Sequence, residues 1–368
     1  MAKKKADKFN DDASNHIFSK YGNIIKSGSE VLSQIGELKV LSFSPALDAI
    51  LGGGIREGTV VGLAGPPKAG KTTSILHFAA KCQKIDKQVI YLNTEGRLNS
   101  QNFDGVKDLD VESLRIVEST DEKPVAGEDF LDIAEYYGKN VPGCIILIDS
   151  LSALVPRDEL EGTLNAQTRN KLPRLLGQYF RRSSHYVAKN GVIVICIAHQ
   201  IADTSPSRQT KMTDCGNKFQ YQVGTNLVIT HRSRWKGKTD ADPDPGQCIN
   251  WEIKTCNTGG TPGTTAEGYL RYGIGIDETQ ELIQAACECR LIKDAGSWYT
   301  ISVLANNTEN EAIQDYLTNE KGLDLSKAKQ EDIDKAFKFQ GGAKVYDFLS
   351  SRPEFLEIVN KEIQDLYV

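Results

Sequence analysis

Apolar runs of five to seven residues recur along the chain from about residue 36, and stretches with helical periodicity separate them. Several runs are almost continuous Val, Ile and Leu, which is typical of strands buried on both faces of a parallel sheet. Strands that alternate with helices form βαβ units, so the pattern predicts an α/β fold with a mostly parallel twisted sheet. The predicted strands are Thr59–Ala64, Gln88–Asn93, Leu114–Glu118, Cys144–Asp149, Val192–Ala198, Asn226–His231 and Ile249–Thr255.

The two ends of the chain carry different patterns. Residues 1–35 are polar, and their weak apolar periodicity predicts one short helix. From residue 276 onward the pattern indicates short helices, and the last of them is predicted over Glu354–Tyr367. We therefore predict three parts: an N-terminal segment (1–35), a core (36–275) and a small C-terminal domain (276–368).

A phosphate-binding motif follows the first predicted strand. It reads Gly65, Pro66, Pro67, Lys68, Ala69, Gly70, Lys71 and Thr72, which matches GxxxxGK[ST], and Thr73 continues into a helical stretch. Backbone N–H groups of such a loop surround phosphate oxygens, and the helix N-terminus adds a favourable dipole. We expect Lys71 to reach the β- and γ-phosphates of ATP and the Thr72 hydroxyl to bind Mg²⁺.

Three polar residues follow neighbouring predicted strands and extend this site. Asp149 ends an apolar strand, where a carboxylate can hold the magnesium shell; the alternative is a helix N-cap. Glu95 follows the second strand and is a candidate for activating the attacking water; the alternative is a solvated turn glutamate. Gln200 is a candidate sensor of the γ-phosphate, although its position alone is weak evidence.

Two polar stretches without periodicity follow strands, over Arg157–Arg169 and Asp203–Asp214. Both lie where an open α/β sheet places its ligand loops, beyond the carboxyl ends of the strands. A third stretch, Lys236–Gln247, is rich in Gly, Pro and Asp and predicts a hairpin or loop.

Taken in order, these motifs resemble the bacterial RecA recombinases and their phage relatives over nearly the whole chain. The segments that carry the resemblance are Leu41–Gly54 before the phosphate loop, Ile148–Pro156 with Glu159–Gly162, Ile197–Ile201, Gly216 with Asn217, Leu291–Tyr299 and Phe348–Glu354. The resemblance implies a RecA-type P-loop ATPase core, a short N-terminal helical segment used for oligomerisation and a small C-terminal α/β domain.

The resemblance also implies roles for single residues. Glu95 falls on the family's catalytic glutamate, and Gln200 falls on the glutamine that couples the γ-phosphate to the DNA loops. Tyr272 falls where a tyrosine stacks on adenine; its position alone identifies only a strand aromatic. Asn99 falls where the family has an acidic residue that faces the base.

By the same resemblance, loops over residues 157–170 and 201–217 hold DNA. Arg174 and Arg181 lie seven residues apart, about two helical turns, so they share a helix face. Both match positions that contact phosphates, for which the guanidinium fork is suited; the alternative is a solvated charged face. Pro173 predicts the first turn of this helix. The further DNA-binding candidates are Arg169, Arg208, Lys211, Met212, Gly216 and Asn217.

Two features depart from the family pattern. The second loop offers only Met212 where the family has an apolar or aromatic wedge. Cys256 and Thr258 stand where the family sends two lysines onto the neighbouring subunit's γ-phosphate, and Lys254 lies nearby but out of register. The candidate substitutes are a potassium ion, Arg232 and Arg234.

Composition and charge narrow the class of protein. With 39% hydrophobic and 25% charged residues, the chain is neither disordered nor fibrous. No window approaches the ~18 consecutive apolar residues of a membrane span, and no apolar segment follows the basic residues 3–8, so we expect a cytoplasmic protein without membrane contact. Residues 301–368 hold thirteen acidic and eight basic side chains, which indicates a separate acidic module.

The eight cysteines do not form a zinc or disulfide pattern, and Cys144 and Cys196 lie in apolar runs that predict burial.

With the resemblance, these observations predict an ATP- and Mg²⁺-dependent recombinase. We expect it to form a helical filament of identical subunits on single-stranded DNA and to pair that strand with homologous double-stranded DNA. Single-strand-binding and loader proteins are the further partners that we expect. A ring-forming helicase and a mediator or regulatory ATPase remain as alternatives that use the same core without strand exchange, and the missing lysines and wedge keep the mediator open.

Overall fold

The computed structural model describes residues 12–22, 24–162, 171–202, 211–213, 215, 219, 222–236, 243–257 and 259–367, with only the backbone described at 201–202, 211–213 and 367. Its residues divide into two compact units, Met1–Lys39 and Val40–Val368.

The described residues of the N-terminal unit form two helices, α1 (Asp12–Tyr21) and α2 (Gly28–Gly36), so the prediction of one short helix was wrong. Ser27 and Glu30 form a capping box at the start of α2. The Ser27 Oγ accepts from the Glu30 backbone N at 3.2 Å, and the Ser27 backbone N donates to Glu30 Oε2 at 2.9 Å. The box satisfies N–H groups that a helix start leaves free, and it begins a helix where apolar periodicity is weak.

A ten-stranded sheet forms the centre of the second unit, in the order β12-β11-β10-β9-β3-β7-β6-β4-β5, with β8 beside β7. The strands from β9 to β5 are parallel, and β10, β11 and β12 add an antiparallel edge. The predicted α/β class with a parallel central sheet is confirmed. The strands, including the separate β1–β2 pair, are β1 (Val40–Leu41), β2 (Ile55–Arg56), β3 (Val60–Gly65), β4 (Val89–Asn93), β5 (Arg115–Glu118), β6 (Ile145–Asp149), β7 (Ile193–Ala202), β8 (Lys211–Thr213), β9 (Thr225–Trp235), β10 (Gly246–Thr255), β11 (Thr265–Arg271) and β12 (Gly275–Ile276).

Helices cover both faces of this sheet, and the strands supply apolar side chains to each face. On β6, Ile145 and Leu147 join the cluster that contains Phe78, whereas Ile146 and Ile148 join the cluster that contains Phe180. This two-sided burial is why the strand reads as a continuous apolar run. The helices of the core are α3 (Pro45–Leu51), α4 (Lys71–Gln83), α5 (Ser100–Asp104), α6 (Gly127–Asn140), α7 (Arg157–Leu160) and α8 (Lys171–Asn190).

Strands β7, β9 and β10 are longer than their predicted runs, and β7 shows a reason. The prediction ended it at Ala198, but β7 continues to Ala202 because β8 pairs with it antiparallel, Gln200 opposite Thr213 and Ala202 opposite Lys211. Both paired segments carry polar side chains, so no apolar run in the sequence predicts this pairing. The polar stretch Asp203–Asp214 thus contains a strand at Lys211–Thr213, and its residues 203–210 and 214 lie outside the described part of the chain.

The C-terminal part has its own apolar cluster, formed by residues between 282 and 363. A three-stranded antiparallel sheet accompanies its helices, in agreement with the α/β domain that the family resemblance implies. The predicted terminal helix is confirmed with a start one residue earlier. The elements are α9 (Glu278–Glu288), β13 (Ile292–Ala295), β14 (Trp298–Ile301), α10 (Ser302–Asn306), α11 (Glu311–Asp315), a π-helical turn (Tyr316–Glu320), α12 (Gln330–Ala336), β15 (Lys338–Gln340), α13 (Gly342–Ser350) and α14 (Pro353–Tyr367).

Cys144 and Cys196 are buried, as predicted. In the parts of the chain that the structure describes, no helix is both long and apolar enough to cross a membrane.

Leu147→Ala tests the two-sided core. Leu147 is fully buried on β6, so its truncation leaves a cavity and should lower the free energy of unfolding by roughly 2–5 kcal/mol in urea denaturation. Ile116 on the edge strand β5 is 37% exposed, and Ile116→Ala should cost less than about 1 kcal/mol. Equal losses for the two variants would contradict the central position of β6.

Candidate nucleotide and DNA site

The phosphate loop connects β3 to α4 through a backbone that requires glycine at one position. Gly70, the N-cap of α4, has a φ of +83°, and a Cβ atom there would lie 2.0 Å from Leu270 Cδ1. Both the left-handed backbone and the close approach exclude other residues without rearrangement. The free N–H groups of the first turn of α4 therefore follow directly on this tight turn.

Lys71 crosses the loop and is buried. Its Nζ donates to the carbonyl oxygens of Gly65 at 3.0 Å and Pro66 at 2.8 Å. Burial lowers the pKa of the Lys71 ammonium, and the carboxylates of Asp149 and Glu95 oppose this shift. An anion near Nζ would stabilise the charged form, as expected of a lysine that binds phosphate.

Asp149 connects the loop to the central sheet. Its Oδ2 accepts from the Thr72 hydroxyl and from the Tyr91 hydroxyl, each at 2.7 Å. Burial raises the pKa of the Asp149 carboxyl, and the two hydrogen bonds oppose the rise. Tyr91 was missed in the sequence because its position opposite Leu147 is known only once β4 and β6 pair.

Glu95 connects the ends of three strands. Its Oε1 accepts from Ser150 Oγ at 2.7 Å and lies 2.9 Å from His199 Nε2, and its Oε2 lies 3.3 Å from a guanidinium nitrogen of Arg97. Glu95 follows β4, Ser150 follows β6, and His199 belongs to β7. These contacts hold the Glu95 carboxylate in place, and its Oε1 contacts both Ser150 and His199.

A polar path continues from this carboxylate towards the second loop. The His199 backbone N donates to Ser152 Oγ at 3.0 Å, and Ser152 Oγ lies 3.7 Å from Cys215 Sγ. Next to His199, the buried Oε1 of Gln200 has no hydrogen-bond partner among the described residues. Since a buried unpaired oxygen is costly, Gln200 is suited to change its contacts when a ligand binds.

These residues surround a cavity of about 880 Å³. Most of the residues predicted to bind the nucleotide or Mg²⁺ or to act in hydrolysis line this cavity. They are Gly65, Pro67, Lys68, Ala69, Gly70, Lys71, Thr72, Thr73, Glu95, Asp149, Gln200 and Tyr272. Lining residues that the sequence analysis did not assign to this site are Arg97, Asn102, Ile197, His199 and Gln247, and Arg232 also lines it. Arg97 and His199 lie within two positions of a predicted site residue in the sequence, and this proximity could have identified them as part of the site.

Two predicted residues are placed differently. Pro66 does not line the cavity, although its carbonyl accepts from Lys71. Asn99 is the N-cap of α5, and its Oδ1 accepts from the Asn102 backbone N at 3.3 Å, so its side chain serves the helix start while Asn102 lines the cavity.

The side chains present fit a nucleoside triphosphate with Mg²⁺. Thr72 and Asp149 place a hydroxyl and a carboxylate side by side, and Mg²⁺ prefers such oxygen ligands. Burial disfavours the charged forms of Lys71 and Asp149, and a phosphate and a cation respectively would restore them.

The predicted DNA-binding arginines of α8 are exposed and share one side of the helix. Pro173 lies in the first described turn of α8, and residues 163–170 before that turn are outside the described part of the chain. Neither Arg174 nor Arg181 forms an ion pair with a described residue, whereas Arg182 pairs with Glu135 of α6 at 2.8 Å. Arg169, Arg208, Gly216 and Asn217 lie outside the described residues, and only the backbone of Lys211 and Met212 is described.

The basic residues near the position of the family's two lysines differ in their surroundings. Lys254 forms an ion pair with Glu252, and Arg234 pairs with Asp244 through two contacts of 2.6 and 3.2 Å. Arg232 lines the cavity. Cys256 is partly buried, with Thr225 Oγ1 3.8 Å from its Sγ, and Thr258 lies outside the described residues.

Comparison with known proteins agrees with this geometry. The family model of the RecA N-terminal domain matches residues 10–221. The RecA protein of Lactobacillus johnsonii is 29% identical over 86% of this chain and 84% of its own length. The RecA protein of Thermotoga neapolitana is 28% identical over 94% of this chain and 88% of its own length. The chain therefore belongs to the RecA family of recombinases.

Proposed function

We propose that this chain is an ATP- and Mg²⁺-dependent recombinase that assembles on single-stranded DNA and exchanges it with a homologous duplex. The observation that carries the proposal is the cluster of Lys71, Thr72, Asp149 and Glu95 around one cavity, with Gln200 at its edge. Members of the RecA family are DNA-dependent ATPases, and this cluster contains the groups that phosphoryl transfer to water needs.

In the proposed site, each side chain has one task. Lys71 binds the β- and γ-phosphates, and the phosphate loop holds them through its backbone N–H groups. Thr72 and Asp149 hold Mg²⁺, which supplies positive charge to the phosphate oxygens. Glu95 accepts a proton from the attacking water, while Ser150 and His199 fix its orientation. Tyr272, 70% exposed at the rim, stacks on the base.

In the proposal, Gln200 transmits the nucleotide state to the DNA loops. Its strand β7 continues to Ala202, and β8 returns beside it, so a shift at Gln200 moves the base of the second loop directly. Residues 157–170 and 201–217, with Arg174 and Arg181, then hold single-stranded DNA.

Assembly requires the two ends of the chain in this proposal. Helix α2 carries three exposed apolar side chains, Val31, Leu32 and Ile35, which suit docking on the core of the next subunit in a filament. The C-terminal domain, over residues 276–368, has excess negative charge and regulates the access of duplex DNA by competing with it for basic surfaces. Single-strand-binding and loader proteins are further proposed partners.

Strand exchange separates this function from the helicase and mediator alternatives. A labelled single strand is incubated with homologous supercoiled duplex, ATP and Mg²⁺, and joint molecules are measured on a gel. We expect joint molecules with the homologous duplex and none with a heterologous one. A protein that hydrolyses ATP on DNA but yields no joint molecules would instead be a mediator or motor built on the same core.

Glu95→Gln tests the assignment of the water-activating carboxylate. An amide cannot accept the proton, so the rate of ATP hydrolysis should fall by roughly 10²–10⁴-fold while ATP-dependent binding to single-stranded DNA is retained. Glu122→Gln is the matched control, because Glu122 is exposed outside the cavity and should leave the rate unchanged. Loss of ATP-dependent DNA binding in Glu95→Gln would refute the assigned role.

Arg181→Gln tests the DNA face of α8 against its immediate neighbour. Removing one phosphate contact should weaken single-stranded DNA binding and reduce the slope of log K against log salt by about 0.7. Arg182→Gln removes the same charge from a side chain paired with Glu135 and should change the slope much less. Fluorescence anisotropy over a salt series measures both. The same loss in the two variants would show that α8 acts only through overall charge.

A further inference from the structure

Strand β9 brings an arginine to the nucleotide cavity that no part of the proposed mechanism uses. Ala64 of β3 pairs with Val228, so β9 continues beyond the end of β3 and runs beside the phosphate loop. Arg232 lies on this extension and lines the cavity. It is exposed and forms no ion pair with a described residue.

The register of β9 and β10 shows which side of the strand faces the loop. Arg232 is opposite Ile249, and Arg234 is opposite Gln247, so these four residues share one face of the hairpin. Gln247 Nε2 lies 3.5 Å from the Lys68 carbonyl, which places that face against the phosphate loop.

The acidic residues that line the cavity interact with basic residues other than Arg232, so Arg232 is available to bind a phosphate. The carboxylates among its described lining residues are Asp149 and Glu95. Arg97 lies 3.3 Å from Glu95 Oε2, and both carboxylates act on the buried Lys71. Arg232 has no such partner on the described surface, and its guanidinium fork can bind two oxygens of one phosphate group.

We infer that Arg232 binds the polyphosphate of ATP within its own subunit, alongside Lys71. This inference deepens the proposed function and rests on it. It assigns to β9 a cation for the triphosphate that the sequence motif does not contain, and it distinguishes Arg232 from Arg234, whose guanidinium is already paired with Asp244 outside the cavity.

The test compares Arg232→Gln with Arg234→Gln in the full-length protein without DNA. Two probes compete with a fluorescent ATP analogue in the presence of Mg²⁺: ATP and inorganic tripolyphosphate. Arg232→Gln should weaken the binding of both probes by roughly ten- to a hundredfold, because a charge-assisted contact is lost. Arg234→Gln should leave both affinities within about twofold, as usual for an exposed ion pair. Equal midpoints of thermal unfolding establish that the variants are folded.

Each other outcome identifies what failed. If the wild-type protein does not bind ATP, the proposed function itself is wrong. If the wild type binds ATP but the two variants have equal affinities, only the role of Arg232 is overturned. If Arg232→Gln weakens ATP binding but not tripolyphosphate binding, the arginine contacts the nucleoside, and the inference about the polyphosphate is also overturned.

Discussion

The buried carboxylate of Asp149 joins the phosphate loop to the central sheet, and the arrangement of the site depends on it. One oxygen accepts from Thr72 at the start of α4 and from Tyr91 on β4. Burial works against the charge of this carboxylate, as it works against the charge of the Lys71 ammonium, which lines the same cavity. Both groups therefore gain from ligands of opposite charge, because a phosphate would stabilise the charged form of Lys71 and a cation would stabilise that of Asp149.

Parallel strands explain how residues distant in sequence meet here. Asn93 pairs with Asp149 and Gly65 pairs with His199, so the carboxyl ends of β3, β4 and β6 lie beside the last part of β7. Residues at and just beyond these positions line the cavity, and Glu95 after β4 contacts Ser150 after β6 and His199 on β7. The His199 backbone N also donates to Ser152 Oγ, which lies 3.7 Å from Cys215 Sγ near the end of the second loop, so polar contacts connect Glu95 to that loop.

Much of this organisation could be predicted from local signals in the sequence. The apolar runs predicted the strands because both faces of the sheet are buried. The spacing of glycine and lysine predicted the phosphate loop, because few residues other than glycine tolerate the φ of +83° found at Gly70. Pairings between distant segments could not be predicted. Gln247 and Arg232 reach the cavity, and Tyr91 reaches Asp149, only through the order and register of the strands. Strand β8 forms by pairing with β7 and has no apolar pattern of its own. The short helix α2 was readable from its capping box, since Ser27 and Glu30 have the required spacing.

In the proposed function, one site couples ATP hydrolysis to the binding of single-stranded DNA. The most direct test is the rate of ATP hydrolysis by the full-length wild-type protein, with Mg²⁺, in the absence and presence of single-stranded DNA. We expect slow hydrolysis alone and a large increase on adding single-stranded DNA, since Glu95 contacts His199 on β7, the strand that leads into the second loop. A rate that is the same with and without DNA would contradict the proposed coupling.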